Sequence, residues 1–437
     1  MLYFAEGSPD TCIDEQRLRE LIDGLLAGMA TPDRVLILPP DFTRRHSGAG
    51  TLTVHLYERL HERTHVEIMP ALGTHAAMSP SEIEVMFPGV PHTAFRVHDW
   101  RRDLVQLGEV PAAFVREITD GKLDFAIACE VNRLLVEGRW DRIISIGQLV
   151  PHEVAGIANH SKNVFVGTGG QDTINKTHFI GAVCGMEAAM GRTETPVRAA
   201  LAYMDRSFGQ KLPITYLLTV RGKDETGAPV TRGIYAGDDD ACFLRGAQLC
   251  QQVNLDLLDE PIAKAVVYLD PEEFKSTWLG NKAIYRTRMA LADQGELIVL
   301  APGVASFGED PEIDRLIRRH GYRGTPRTLE AAREDGELAA NLAAAAHLIH
   351  GSSEGRFRIT YCPGGLSRQE IESVGFAFDD LAHLRQHYDP ARLRDGWNDV
   401  GGEHVFFISN PGLGLWALRS HFAGLGSNES AEGGHAR

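Results

Sequence analysis

A chain of 437 residues with 44 Lys and Arg against 59 Asp and Glu carries a formal charge of −15. That balance argues against a nucleic-acid partner, because neutralising phosphates needs a basic face. The length exceeds what one ordinary core fills, so two domains are expected, and no apolar run approaches the roughly 18 residues of a membrane span.

The N-terminal "MLYFAEGSPDTCIDEQ" lacks a basic region followed by an apolar core and does not read as a secretory signal, so the expected compartment is the cytoplasm. Six cysteines, Cys12, Cys129, Cys184, Cys242, Cys250 and Cys362, lie far apart without a C-x-x-C pair. Such spacing favours neither a disulfide framework nor a zinc knuckle.

In chain order, "RVLILPP" (34–40) reads as a strand, "DFTRRHSGAG" as a polar loop and "LTVHLYERLHER" (52–63) as an amphipathic helix. "THVEIMPALGTH" (64–75) gives a second strand running into a Gly-containing loop. "SPSEIEVMF" (79–87) gives a helix capped by Ser79, with Pro80 at its first position. This βαβ pattern predicts a parallel sheet, continued by "LDFAIACE" (123–130) and "DRIISIG" (141–147). A fresh strand, "AKAVVYLD" (263–270), follows a change of composition near 255–262. After it, "NKAIYRTRMALAD" (281–293) reads as a helix and "GELIVLAPG" (295–303) as a strand. Helical stretches over 327–350 and strands at "RFRITYC" and "HVFFISN" complete the pattern. The expected fold class is α/β, with two α/β domains, parallel-rich sheets and an active-site cleft between them. The expected boundaries are 1–258 for a cofactor-binding and catalytic domain, 259–425 for a domain closing over substrate, and 426–437 for a disordered tail.

Ligands of parallel sheets gather at the carboxyl ends of the strands. That rule places "DFTRR" (41–45), "LGTH" (72–75) and "PHEVAGIANHSK" (151–162) on one rim. The stretch "HEVAGIANHSKNVFVGTGGQDTINKTH" (152–178) carries His152, Lys162 and His178 around a Gly-rich centre. As one helix it would hold Lys162 about 15 Å from His152 and about 24 Å from His178 along the axis, so it has to fold back on itself to gather them.

Taken one at a time, these residues have ordinary explanations. A histidine at a strand end is commonly a hydrogen-bonded loop residue, Lys162 a solvated charge, and Asp41 with Arg44 a loop ion pair of little energetic weight. "GTGGQDTINKT" fails the phosphate-loop pattern, and "HEVAG" lacks the second histidine of a zinc-protease helix. A neighbouring turn and a buried Trp100 account for His98 and Asp99.

Together, "DFTRR", "ALGTH", "SIGQLVPH" (145–152), "NHSKN" (159–163) and His178 resemble, in order and spacing, the nickel-pincer lactate racemase family, chiefly over 34–180. The segment 281–303 is similar to that family's second-domain stretch. The resemblance implies a 2-hydroxy acid racemase or epimerase acting by reversible hydride transfer through a 2-oxo acid. It implies a cofactor, pyridinium-3-thioamide-5-thiocarboxylic acid mononucleotide, tethered to Lys162 and carrying nickel, with His178 as metal ligand. His75 and His152 correspond to the two bases, Arg44 and Lys282 to the groups holding the substrate carboxylate, and Asp41 and Thr43 to cofactor-side residues. The implied partners are a small anionic 2-hydroxy acid and the enzymes that build the cofactor, with neither nucleic acid nor membrane among them.

Two sulfurs, a ring carbon and an imidazole form a soft planar set suited to Ni(II), and imidazole can both accept and donate near neutral pH. The sequence departs from the family where Leu279 stands in place of a Gln, where Leu149 and Val150 precede His152, and where Ser161 and Asn163 flank Lys162. A substrate other than lactate follows from those changes. Two other readings stand beside this one: a zinc-dependent hydrolase or lyase with His75, His152 and His178 as ligands, and a non-catalytic cofactor carrier.

Overall fold

In the computed structural model, which describes residues 1–225, 228–412 and 414–422, the chain divides into two compact units, the first ending at Asn254 and the second beginning at Leu255. The segment 426–437, expected to be disordered, lies outside the described residues.

The strands of the first unit are β1 (Leu2–Gly7), β2 (Arg34–Leu38), β3 (His65–Ile68), β4 (Leu104–Val110), β5 (Ile127–Asn132), β6 (Arg142–Gln148), β7 (Pro151–His152), β8 (Gly156–Ile157), β9 (Ile214–Lys223) and β10 (Pro229–Gly237). Six of them form a sheet in the order β1-β10-β9-β6-β2-β3. From β3 to β9 the pairings are parallel; β10 then runs antiparallel to β9, and β1 antiparallel to β10. Val35, Leu36, Ile37 and Leu38 of β2 are fully buried, as a parallel strand covered on both faces requires. Val35 and Ile37 of β2 and Ile144 and Ile146 of β6 pack in one core with Ile22 of helix Glu15–Ala27 and Leu52 and Leu56 of helix Ala49–Leu60. Each such aliphatic side chain contributes about 1.5–3 kcal/mol over leaving it in water.

Local signals set the helix ends. Asp14 accepts from the backbone N–H of Arg17 at 2.8 Å and starts helix Glu15–Ala27. Ser79 and Glu82 form a reciprocal capping box, with Pro80 opening helix Pro80–Met86. β3, β2 and β6 are parallel neighbours, so the loops at 39–48, 69–79 and 149–160 leave the sheet from one edge. One predicted strand sits elsewhere: β5 pairs with β4 in a separate antiparallel ribbon.

In the second unit the strands are β11 (Asp256–Leu258), β12 (Ile262–Tyr268), β13 (Leu291–Ala301), β14 (Arg358–Pro363), β15 (Ala377–Phe378), β16 (Gly396–Val400), β17 (Glu403–Ile408) and β18 (Trp416–Leu418). Its six-stranded sheet runs β15-β14-β13-β12-β17-β16 and is parallel apart from the β16/β17 pair. The helix expected over 281–293 is not formed as one element. Only Thr277–Gly280 and Lys282–Tyr285 are helical, and Leu291 already pairs with Ile262. Ala283, Ile284, Tyr285, Thr287, Arg288, Met289 and Ala290 are all buried, so the segment lacks the solvent face that a surface helix of that length would show. Among the described residues, no helix is long and apolar enough to cross a membrane.

Candidate functional site

The loop after β2 places Asp41 at the start of a short 3-10 helix, Phe42–Ser47. One oxygen of its buried carboxylate accepts from the Thr43 backbone N–H at 3.0 Å and from the Thr43 hydroxyl at 2.5 Å. The other oxygen lies 2.5 Å from Nδ1 of His75, which is on the loop after β3. Burial works against ionisation of Asp41, but the bonds from His75 and Thr43 and the charge of Arg44 outweigh it and hold the carboxyl below its usual range. An ionised Asp41 only accepts, so Nδ1 of His75 is the donor in this bond and Nε2 is the nitrogen turned to other partners. The His75 side chain is 55% exposed, enough to meet a ligand. The Arg44 side chain is exposed and makes no hydrogen bond or ion pair among the described residues.

Lys162 belongs to helix Ser161–Phe165, beyond β8. Asn163, next to it, donates to the carbonyl of Leu38 at 3.2 Å and to the Ser145 hydroxyl at 2.9 Å, which fastens the helix to the end of β2 and the middle of β6. Asn159 and His160, just before the helix, have φ of 69° and 58°. Two successive non-glycine residues in that region are strained and have to be held by their surroundings. Arg198, buried on helix Pro196–Ser207, does the holding: its guanidinium donates to the carbonyls of Ile157 and of Asn159, the latter at 3.0 Å. Burial pulls the Lys162 ammonium down to about 8, with Arg44 and Arg198 adding to the shift and Glu153 opposing it. Nζ has no hydrogen-bond partner among the described residues.

His152 is buried in the β7–β8 turn, where its Nδ1 accepts from the backbone N–H groups of Val154 at 3.0 Å and Ala155 at 3.3 Å. Burial drives its pKa well below the usual histidine value; Glu153 opposes this, while Lys162, His178 and Arg44 add to it. His178 lies on helix Gln171–Cys184 and donates from Nδ1 to the Ile174 carbonyl at 2.6 Å. Burial and the neighbouring Lys162 bring its pKa down to about 4, so the ring is neutral and Nε2 is left bare. A neutral imidazole fixed by a backbone carbonyl through one nitrogen is the form that binds a metal through the other.

Two groupings result. Asp41, Thr43 and His75 form one by hydrogen bonding; His152, Lys162, His178 and Glu153 form the other through mutual charge effects. Arg44 acts on Asp41, His152 and Lys162 alike and so belongs to both. The Gly73 N–H bonds the Gly167 carbonyl at 2.8 Å, which ties the His75 loop to the segment following the Lys162 helix.

Glu153 and Arg198 were not singled out from sequence. The signal for Glu153 was its place beside His152; Arg198, on a later helix, gave none. Lys282 lies in the second unit at the start of helix Lys282–Tyr285, 3.9 Å from Glu273 and 5.5 Å from the Phe274 ring centre. His98 is a satisfied core residue, accepting from Asn132 at 3.0 Å and donating to the Gly169 carbonyl at 3.1 Å. Lys176 bonds the Ala126 carbonyl at 2.7 Å and Asp172 at 2.6 Å. Among the described residues no three His, Cys, Asp or Glu side chains gather as a metal-holding group.

Residues 11–191 match the model of the lactate racemase N-terminal domain. A solved protein of Thermotoga maritima is 25% identical with a TM-score of 0.78, over 94% of this chain and 99% of that one. The lactate racemase apoprotein of Thermoanaerobacterium thermosaccharolyticum shares the fold, with a TM-score of 0.70 at 15% identity over 93% of each chain. No curated protein matches in sequence. The motifs on the β2, β3 and β6 loops lie within residues 11–191, the part of the chain that is similar to the lactate racemase N-terminal domain, and the α/β fold is the one found in the lactate racemase apoprotein.

Proposed function

We propose that the protein is a racemase or epimerase that inverts C2 of a 2-hydroxy acid. The observation that carries the reading is the pairing of a part-buried, partnerless Lys162 amine with His178, whose Nδ1–H is committed to a carbonyl and whose Nε2 is therefore open to a metal. These residues fit a nickel-pincer mononucleotide, with Lys162 as the tether and His178 as the single protein ligand. The remaining metal positions would come from the group itself.

When bound, the group supplies reversible acceptance of the C2 hydride, which makes a 2-oxo acid the midpoint of inversion. Arg44, unpaired and planar, grips the substrate carboxylate. Nε2 of His75 takes the hydroxyl proton, and Asp41 steadies the imidazolium that forms. Thr43 keeps Asp41 in the orientation that serves His75.

The test is intact-mass and nickel analysis of protein produced alongside cofactor-building enzymes, followed by turnover of a panel of 2-hydroxy acids in heavy water. An adduct on Lys162, bound nickel and inversion with retention of the C2 hydrogen are expected. An unmodified Lys162 together with no nickel would overturn the reading, and so would wash-out of the C2 hydrogen.

A further inference from the structure

A cleft of about 480 Å³ opens at the amino ends of β14 and β15, in the second unit. Ligands of a parallel sheet usually bind at the carboxyl ends of its strands, so this cleft lies apart from the edge where such chemistry is expected. Its base is apolar: the buried residues Phe357, Ile359 and Phe376 all contribute to the wall. Phe376 belongs to an aromatic stack, with ring centres 4.6 Å from Tyr322 and 5.4 Å from Tyr361 at interplanar angles of 11° and 12°. The Tyr322 hydroxyl is fixed in turn, 2.8 Å from the Thr277 hydroxyl and 3.0 Å from Nε2 of His347. The floor is therefore preformed, and a ligand does not have to order it.

The polar groups of the lining favour one sign of charge. Arg323 commits one guanidinium nitrogen to the Ser373 carbonyl at 2.7 Å, while its Nε and Nη1 make no hydrogen bond among the described residues. Arg358, the first residue of β14, is 68% exposed and approaches Glu296 at a loose 3.8 Å. Ser353 adds a hydroxyl to the same lining. Glu372, which also lines the cleft, is already drawn to Arg368 at 3.2 Å. Gly375 has φ of 99°, and a Cβ there would stand 3.3 Å from the Tyr322 carbonyl oxygen and 3.6 Å from Nη1 of Arg323. Glycine thus both permits the backbone turn and keeps space open beside the guanidinium. In a chain of net charge −15, two guanidiniums over an apolar floor are a local exception that selects anions.

We propose that this cleft binds a small organic anion, its carboxylate or phosphate head held by Arg323 and Arg358 and its apolar body lying against Phe357, Ile359 and Phe376. The volume decides against a bare inorganic ion, since it falls within the range of about 300–1,000 Å³ typical of sites for organic ligands. The site is independent of the function proposed above, and neither needs the other.

The test is saturation-transfer NMR on the full chain without cofactor or substrate. Phenyl phosphate and benzoate are the probes, with benzyl alcohol as their uncharged counterpart. Saturation should reach the ring protons of at least one anion and not those of benzyl alcohol. A stronger response from phenyl phosphate identifies the head as a phosphate ester, and one from benzoate identifies it as a carboxylate. Joint replacement, Arg323→Gln with Arg358→Gln, should weaken binding about tenfold or more, with the circular dichroism unchanged because both side chains are at the surface. Arg358→Gln alone breaks no hydrogen bond of the fold and should give part of that loss. Arg44→Gln, in the first unit, should bind the probes as wild type does. Absence of saturation in both anions at millimolar concentration would overturn the proposal. So would an equal response from benzyl alcohol, a double variant that binds as tightly as wild type, or loss of binding in Arg44→Gln.

Discussion

Arg198 donates to the backbone carbonyl of Asn159 at 3.0 Å, so a buried cation holds the left-handed turn that leads into the Lys162 helix. The same guanidinium lies 4.2 Å from the centre of the Phe243 ring, and its Nε has no hydrogen-bond partner. Burial lowers its pKa to about 9. A charge kept in so unfavourable a place points to a geometric duty, because burial of an unpaired cation costs stability.

Removing that side chain should therefore damage the tether more than the fold. Arg198→Ala leaves the Ile157 and Asn159 carbonyls without their donor, at about 1–3 kcal/mol for each buried group. The expected outcome is a lower melting temperature and a smaller fraction of Lys162 carrying the adduct by intact mass. Arg198→Lys restores the charge but cannot reach both carbonyls, so it should recover stability better than adduct. Full modification of Lys162 in Arg198→Ala would show that the turn does not need its clamp.

Asp41→Asn tests the other grouping. The carboxylate fixes His75 with Nδ1 protonated, and an amide can offer that nitrogen a donor instead, turning the ring or its tautomer. Turnover should fall by about 10²–10⁴, the range for losing a positioned general base. A stability effect accompanies it, with a definite sign. The folded-state pKa is depressed, so the contribution of Asp41 to stability is present above the unfolded-state value and is lost as pH falls through the folded one. Denaturant melts of wild type and variant should accordingly differ at neutral pH and converge in acid, once the pH has fallen through the depressed folded-state value. A constant difference across that window would contradict the assignment.

Asn163→Ala removes the donor that fastens the Lys162 helix to Leu38 and Ser145. Both partners are buried, so a loss of about 1–3 kcal/mol is expected, and in a unit of this size each kcal/mol lowers the melting temperature by roughly 2–4 °C. Scanning calorimetry measures it. A melting temperature unchanged from wild type would mean that the strands hold the helix by packing alone.

The parallel half of the first sheet was legible because its strands are short apolar runs ending in Pro or Gly, with polar loops directly after them: Asp41, Thr43, Arg44 and His75 could be located that way. The antiparallel half was not. β9 and β10 are buried strands with no crossover helix between them, and nothing in "ITYLLTVRGK" announces which neighbour it pairs with. The segment 281–293 was misread because apolar content was taken as helical period when every side chain from Ala283 to Tyr285 and Thr287 to Ala290 is inside. Arg198 escaped because its role lies in bonding to backbone carbonyls far away in sequence. The anchoring of His152 escaped for a similar reason: it depends on where two backbone N–H groups point within one turn.

Lys162 provides a prediction independent of any cofactor. An amine whose pKa falls from 10.5 to about 8 on folding binds fewer protons in the folded chain than in the unfolded chain between those two values. Stability therefore rises with pH across that window. Below about pH 8 the folded chain bears the full penalty of a buried ammonium, roughly 3 kcal/mol from a shift of that size; above about pH 10.5 the penalty is gone. Lys162→Met keeps the side chain's length and apolar body without the charge. The variant should be more stable than wild type at about pH 7, by that order of magnitude, and the gain should fade as pH climbs toward about 10.5. Paired urea titrations at several pH values measure it. A gain independent of pH would locate the effect in packing, and a loss at neutral pH would mean that the ammonium has a partner that stabilises it. The prediction matters for function because the same desolvation that destabilises the cation leaves a usable fraction of neutral amine near pH 7, and only the neutral amine can form the covalent tether.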